Sequence, residues 1–204
     1  MDMGRISINT KGIIKMYKLI HYVKSNEKSG KIVCEEMTST RLENWALLMM
    51  LSMDSDSHKR VWTNGVFDIL HLGHLELLSY CRKHGHTIVG INSDESTKNL
   101  DKLHPLINTE MNRATMLASF RDVDHVIIYN ESTATNCIKT IKPDYYIKGG
   151  DYTIERLDED EKKAVESYGG KVLLAPYTKG ESTSEIYREI YERGYTAGYN
   201  YSSD

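Results

Sequence analysis

From Arg60 onward, short apolar runs and longer amphipathic stretches take turns along the chain. Val61–Thr63, Thr87–Asn92, Val126–Tyr129, Tyr145–Lys148 and Lys171–Ala175 are short and rich in β-branched or aromatic residues, which predicts strands. Between them Leu72–His84, Thr109–Phe120, Ala134–Ile141, Leu157–Tyr168 and Ser182–Arg193 carry helical patterns. Ser182 and Glu185 stand three apart as a capping box that would start the last helix. Strands that alternate with helices imply an α/β fold, a doubly wound parallel sheet covered on both faces. Ligands of such sheets bind beyond the carboxyl ends of the strands.

The first 58 residues follow a different pattern. Ile13–Val23 alternates only partly, Ser25–Gly30 reads as a turn, and Lys31–Cys34 as a second short strand. Thr40-Arg41-Leu42-Glu43 has capping-box spacing ahead of Trp45, Leu48, Met49 and Leu51, so a helix is expected there. That apolar set is too large to stay exposed and should pack on the domain or on a second subunit. Asp54–Lys59 is polar and reads as a linker, and Gly194–Asp204 lacks periodicity. The expected division is an N-terminal appendage over 1–58, a domain over 59–193 and a flexible tail over 194–204.

Composition narrows the setting. The chain has 204 residues, 40% of them hydrophobic, and a net charge of −3. It therefore suffices for one domain with its own core, with no general affinity expected for nucleic acid or an anionic membrane. Cys34, Cys81 and Cys137 are widely spaced and form no Cys-x-x-Cys, which suits reduced thiols in a cytoplasmic protein. The apolar run Trp45–Leu51 is far too short to span a bilayer, and Asp2 with no apolar stretch behind it gives no secretory signal.

The candidate chemistry gathers where the pattern puts the ends of strands. Thr63-Asn64-Gly65-Val66-Phe67-Asp68-Ile69-Leu70-His71-Leu72-Gly73-His74 runs from the first predicted strand through a glycine-bearing loop into a helix start. Free N–H groups at a helix N-terminus attract phosphate oxygens, and two imidazoles three residues apart can serve one charged centre. Gly65 and Gly73 let backbone approach a ligand, and Asp68 is either a loop cap or a direct ligand. Lys98 and Lys102, after Asn92-Ser93-Asp94, can reach outer phosphates or simply face solvent. Arg113, in the predicted helix Thr109–Phe120, reads by itself as a helix-surface arginine. Lys148-Gly149-Gly150-Asp151-Tyr152 places two glycines after a strand, where Asp151 either meets ribose hydroxyls or a metal-bound water, or caps a turn. Gly180-Glu181-Ser182-Thr183-Ser184 makes an anion nest at a helix start.

The twelve-residue string around His71 and His74 resembles the signature of the His-x-Gly-His nucleotidyltransferase superfamily. The run from Gly180 to Ser184 is similar to that family's second signature. The likeness covers residues 60–193 and implies a Rossmann-like nucleotidyltransferase fold. Within the family, Thr63–His71, Ile91–Lys98 and Lys148–Tyr152 look most like the adenylyltransferase domain of the ADP-heptose synthase branch. The resemblance implies that His71 and His74 stabilise charge on the α-phosphate, with Lys98 and Lys102 also catalytic. It places Thr63, Asn64, Gly65, Phe67, Gly73, Asn92, Asp94, Arg113, Lys148, Gly150, Asp151, Ser182 and Thr183 around the nucleotide. Mg2+ would arrive with the triphosphate, so no side chain is assigned as a metal ligand. ATP and a sugar 1-phosphate, with heptose 1-phosphate favoured, are the expected substrates of a cytoplasmic homodimer. Two features depart from close relatives. Tyr177 stands where cytidylyltransferases of glycerol 3-phosphate carry an arginine, and Asp101–Ile107 lacks the usual glycine and arginine before the proline. The alternatives are CTP-dependent transfer to glycerol 3-phosphate or a similar alcohol phosphate, and an inactive nucleotide-binding or scaffold protein.

Overall fold

The computed structural model describes residues 16–23, 31–52, 59–98, 105–149, 152–176 and 182–196. Two strands open it, β1 (Met16–Val23) and β2 (Lys31–Thr38), followed by helix α1 (Ser39–Ser52). Then come β3 (Arg60–Gly65), α2 (Leu72–His84), β4 (His86–Asn92), α3 (Asp94–Thr97), α4 (Glu110–Ala118) and β5 (His125–Tyr129). The chain continues through α5 (Thr135–Ile141), β6 (Tyr145–Lys148), a 3-10 turn at Ile154–Arg156, α6 (Glu159–Glu166), β7 (Lys171–Leu174) and α7 (Thr183–Thr196).

The seven strands form one sheet in the order β2-β1-β5-β4-β3-β6-β7. β5, β4, β3, β6 and β7 run parallel, and β3 lies at their centre. The order reverses at β3, since the chain first steps outward to β4 and β5 and then crosses to β6 and β7. This is the Rossmann-like arrangement, and the reversal marks where such sheets bind ligands. The parallel sheet of the sequence reading gains an antiparallel edge: β1 pairs with β2 through Met16↔Thr38 to Val23↔Lys31, and with β5 through Lys18↔Ile128 to Ile20↔Val126. Mixed edges of this kind are common on otherwise parallel sheets.

Alternation along each strand divides the core between the two faces. Val61, Val89, Val126 and Ile128 face α2 and α4 and pack on Leu77, Leu78, Cys81, Ala114 and Leu117. Trp62, Ile88, Ile127, Tyr129 and Tyr146 face α1, α5 and α6 and pack on Leu42, Ile138, Ile141 and Val165. Gly90 is needed for this second layer, because a Cβ there would lie 2.2 Å from the Trp62 ring. The N-terminal apolar set is divided. Leu42 and Ala46 are buried, Trp45 meets the His125 ring edge-on at 5.0 Å, and Leu47 and Leu48 stay exposed.

Several boundaries move for local reasons. α1 starts at Ser39, because the Thr38 hydroxyl accepts from the Arg41 amide; the cap is two residues earlier than Thr40. β2 extends to Thr38 rather than Cys34, carried by its ladder with β1. The helix expected from Leu157 begins at Glu159, since the Asp158 carboxylate caps it by accepting from the Asp160 and Glu161 amides. Ser182 caps α7: its hydroxyl accepts from the Glu185 amide at 3.1 Å, and the Glu185 carboxylate accepts from that hydroxyl at 3.3 Å. α7 then runs on to Thr196, past the expected start of the tail, and 197–204 lie outside the described residues. Among the described residues no helix is long and apolar enough to cross a membrane.

Candidate active site

The loop after β3 is the centre of the site. Phe67 takes a left-handed backbone, φ 53°, which costs a residue with a Cβ about 1–2 kcal/mol. Its ring lies over Gly65, where a Cβ would come within 3.2 Å of it, and 4.9 Å from the His74 ring. The strained turn thus brings an aromatic wall against the histidines. His71 is the N-cap residue of α2, with an extended backbone and no cap bond from its side chain. Its carbonyl accepts from His74 N at 3.0 Å, so the helix begins without using the imidazole. The two imidazoles stack with centroids 3.8 Å apart and planes 33° from parallel. Both are half-buried at the helix N-terminus, and Gly73 lies between them in the first turn. Two imidazoles beside the positive end of a helix dipole have the chemistry to donate to a highly charged centre such as a phosphate.

Asp68 braces the loop. Its carboxylate accepts from the Ile107 amide at 3.0 Å and the Asn108 amide at 2.8 Å, and its carbonyl accepts from the Asn108 side chain. It thereby ties the histidine loop to the segment before α4. α7 closes the same corner. The Thr183 hydroxyl donates to Ile69 O, and the Tyr187 hydroxyl donates to Pro105 O at 3.0 Å. The two sequence signatures, more than a hundred residues apart in number, meet here.

Arg113 lies neither on a helix surface nor open at the mouth. It is fully buried and donates to Asn108 O, Val66 O, Asn92 O and Asp94 Oδ1. Four of the five guanidinium N–H groups therefore hold the loops after β3 and β4 together. Asp94 begins α3, where its amide donates to Glu110, whose other oxygen pairs with Lys18 of β1. The N-terminal hairpin thus reaches the carboxyl end of the sheet. Asn92 is buried at the end of β4, donating to Glu131 O and accepting from the Tyr129 hydroxyl.

Lys148 ends β6 on the other side of β3. Its ammonium is buried, donates to Asn64 O at 2.8 Å and stands 5.1 Å from the Tyr152 ring centroid. Thr63 and Asn64 are buried at the end of β3. Lys98 is exposed beyond α3 and pairs with Glu95 at 2.6 Å, a contact that raises its pKa above the ordinary lysine value. Lys102, Gly150 and Asp151 lie outside the described residues. The sequence reading missed Glu161, Tyr129 and Tyr146, which sit beneath Asn64. The Glu161 carboxylate accepts from the Asn64 side chain, the Ala134 amide and the Tyr146 hydroxyl. Burial, and then the neighbouring Glu161, push the Tyr146 phenol far above its ordinary range, and burial does the same for Tyr129. Both remain donors. Nothing in the charged run around Glu161 marks this residue as buried.

Comparison with known proteins agrees with the geometry. Residues 62–189 match the model of the cytidylyltransferase-like family. A curated relative, the bifunctional protein HldE of Geotalea uraniireducens (strain Rf4), is 41% identical over 147 residues, 71% of this chain and 30% of the relative. The bifunctional protein HldE of Geobacter metallireducens (strain ATCC 53774 / DSM 7210 / GS-15) is 43% identical over 134 residues, 65% of this chain and 27% of the relative. The chain thus spans less than a third of the length of these curated relatives. The solved lipopolysaccharide core biosynthesis protein from Thermoplasma volcanium GSS1 superposes with a TM-score of 0.51 at 29% identity, over 59% of this chain and 98% of that one.

Proposed function

The chain belongs to the cytidylyltransferase-like family, and from that premise we infer that it is a nucleotidyltransferase that moves AMP from ATP to a sugar 1-phosphate, heptose 1-phosphate being the favoured acceptor. The observation that carries this reading is the stacked pair His71 and His74 at the N-terminus of α2, held at the switch point of the sheet. In the reaction an acceptor phosphate oxygen forms a bond to the α-phosphorus of ATP. The bond from that phosphorus to the bridging oxygen breaks, and pyrophosphate leaves. Negative charge grows on the α-phosphate oxygens and on the leaving group. Imidazole N–H groups and the helix N-terminus are placed to offset it, and such fixed donors are the main catalytic resource for phosphoryl chemistry.

The remaining candidates take supporting roles in this reading. Lys98 and Lys102 meet the outer phosphates; Thr63, Asn64, Gly65, Phe67, Gly73, Asn92 and Asp94 form the nucleotide cleft, with Lys148, Gly150, Asp151, Ser182 and Thr183 around it. Arg113 shapes that cleft through the loops it ties. Among the described residues no three His, Cys, Asp or Glu side chains gather to hold a metal, and Asp68 and Asp94 already have partners. Mg2+ would come with the triphosphate itself and neutralise the leaving pyrophosphate. Cys34, Cys81 and Cys137 as thiols rather than disulfides suit the cytoplasm, and exposed Leu47 and Leu48 on α1 suit a homodimer.

Base choice rests on the likeness of Thr63–His71, Ile91–Lys98 and Lys148–Tyr152 to the ADP-heptose branch, and on Tyr177. The test is a panel of nucleoside triphosphates against heptose 1-phosphate and glycerol 3-phosphate, read by pyrophosphate release. ATP with heptose 1-phosphate should exceed CTP by at least about tenfold in kcat/KM, because a site built for one base edge leaves polar groups unpaired with another. Equal or better use of CTP with glycerol 3-phosphate would replace the adenylyl reading. Nucleotide binding without pyrophosphate release from any pair would leave a binding or scaffold protein.

A further inference from the structure

A chain of buried polar groups runs beneath the candidate site, and one member of it is incomplete. Glu161 of α6 is 4% exposed. Its carboxylate accepts from Ala134 N at 2.7 Å, from Asn64 Nδ2 at 3.1 Å and from the Tyr146 hydroxyl. Asn64 Nδ2 also lies 3.4 Å from the Tyr129 hydroxyl, which in turn donates to Asn92 Oδ1 at 3.2 Å. A carboxylate that takes three donated bonds can face an amide only through the NH2 group. The orientation of the Asn64 amide is therefore fixed, and so is the direction of its other end. That end, Oδ1, is buried and meets no donor among the described residues, although Asn64 is only 8% exposed. A buried acceptor without a donor is costly, and each such group in a native fold calls for an explanation.

Position supplies one. Asn64 lies at the carboxyl end of the central strand, one residue before the turn that carries Phe67 and the histidines. Its backbone carbonyl is occupied by Lys148 from β6, and its side-chain nitrogen by Glu161 from α6 and, at 3.4 Å, by the Tyr129 hydroxyl from β5, so elements from both sides of the switch point converge on it. An asparagine held only for packing could be replaced by an apolar residue of similar volume, and so could its buried carboxylate partner. A locked amide with an unmatched acceptor has the form of a recognition group.

We propose that Glu161 is a positioning residue, locking the Asn64 amide so that Oδ1 accepts a hydrogen bond from a hydroxyl or amino hydrogen of the bound nucleotide. This rests on the nucleotidyltransferase reading and names the group by which the site tests its nucleotide. Glu161 does not touch the substrate; it acts through Asn64. Removing the acceptor, or the residue that aims it, should erase one specific preference among nucleotides rather than weaken all of them alike.

The experiment uses the full chain and measures equilibrium binding of ATP, 2′-deoxy-ATP, 3′-deoxy-ATP and the triphosphate of purine riboside, which lacks the exocyclic amino group. Wild type should bind one of the three analogues about tenfold or more weaker than ATP. Asn64→Ala, which leaves Glu161 its two other donors, should level that preference. Glu161→Met should level it too, while Glu161→Gln, whose carbonyl oxygen can still accept from Asn64, should keep most of it. Melting curves establish that each variant is folded, and Asn64→Ala decides the matter alone if Glu161→Met is not. The inference fails if wild type ranks all four nucleotides equally, if Asn64→Ala keeps the wild-type ranking, or if folded Glu161→Met weakens all four by the same factor. A wild-type chain that binds no nucleotide overturns the reading beneath it instead.

Discussion

The two ends of the sheet use the same residue types for opposite purposes. At the amino ends of β3 and β4, an aspartate from the neighbouring strand's entry finishes the ladder. Asp144 accepts from Arg60 N at 2.8 Å and lies 3.6 Å from the Lys59 ammonium; Asp124 accepts from Thr87 N at 2.8 Å and pairs with Arg82 at 2.6 Å. Each carboxylate is matched by a backbone donor and a cation. At the carboxyl ends of the same strands, the charged groups are turned toward other loops, the two imidazoles stack on each other, and the buried Asn64 amide oxygen meets no donor among the described residues. The first end completes the fold. The second end is ordered by the fold and, in the proposed function, would be completed by the nucleotide.

The largest effect should come from breaking the carboxyl end. His74→Ala is expected to lower kcat on the order of a hundredfold or more, with a smaller change in the KM for ATP. In the proposed reaction the ring's donor should matter most while charge grows on the α-phosphate. Steady-state kinetics of the purified variant decide it. A change confined to KM would mean that His74 holds only the bound ground state. Because the ring is half-buried at a helix start, the melting temperature should move little.

The amino end should respond the other way. Asp124→Ala or Asp144→Ala leaves a backbone N–H without its partner and should cost about 1–3 kcal/mol of stability. In a chain of this size that lowers Tm by roughly 2–4 °C per kcal/mol. The exposed parts of these ion pairs, such as the half-exposed Arg82 and Lys59, add little. Thermal melts with parallel kinetics test it. If kcat fell as far as in His74→Ala, the two ends would be coupled and the contrast between them would not hold.

The contrast also explains what the sequence could and could not disclose. The parallel strands are legible because burial on both faces makes them continuous apolar runs, as in Val126–Tyr129. The histidine loop is legible because glycines and imidazoles at a strand-to-helix turn leave few other readings. Arg113 is not, because a helical arginine looks the same whether its guanidinium meets water, a phosphate or four carbonyl and carboxylate oxygens. Glu161 is hidden for a related reason. It sits in the run Asp158-Glu159-Asp160-Glu161-Lys162-Lys163, where every residue reads as surface, and only the fold places one of them under Asn64. The hairpin's place on β5 depends on pairing across more than a hundred residues, which no local pattern encodes.

The smallest effect concerns Lys98, at the rim between the two regimes. Its side chain is 70% exposed and its pair with Glu95 spans one turn of α3. A surface pair of this kind is cheap to break, so the ammonium is available to swing toward the outer phosphates. Lys98→Ala should therefore raise the KM for ATP severalfold, leave kcat nearly unchanged and leave the melting curve where it was. Because the contact is exposed, the difference from wild type should shrink as ionic strength rises and the Debye length shortens. Measuring KM for both proteins at low and high salt checks each part. A KM that stays the same at both salts would make Lys98 a solvated surface lysine and pass the phosphate contact to Lys102. A large loss of kcat would instead move Lys98 into the group that acts with the histidines on the transition state.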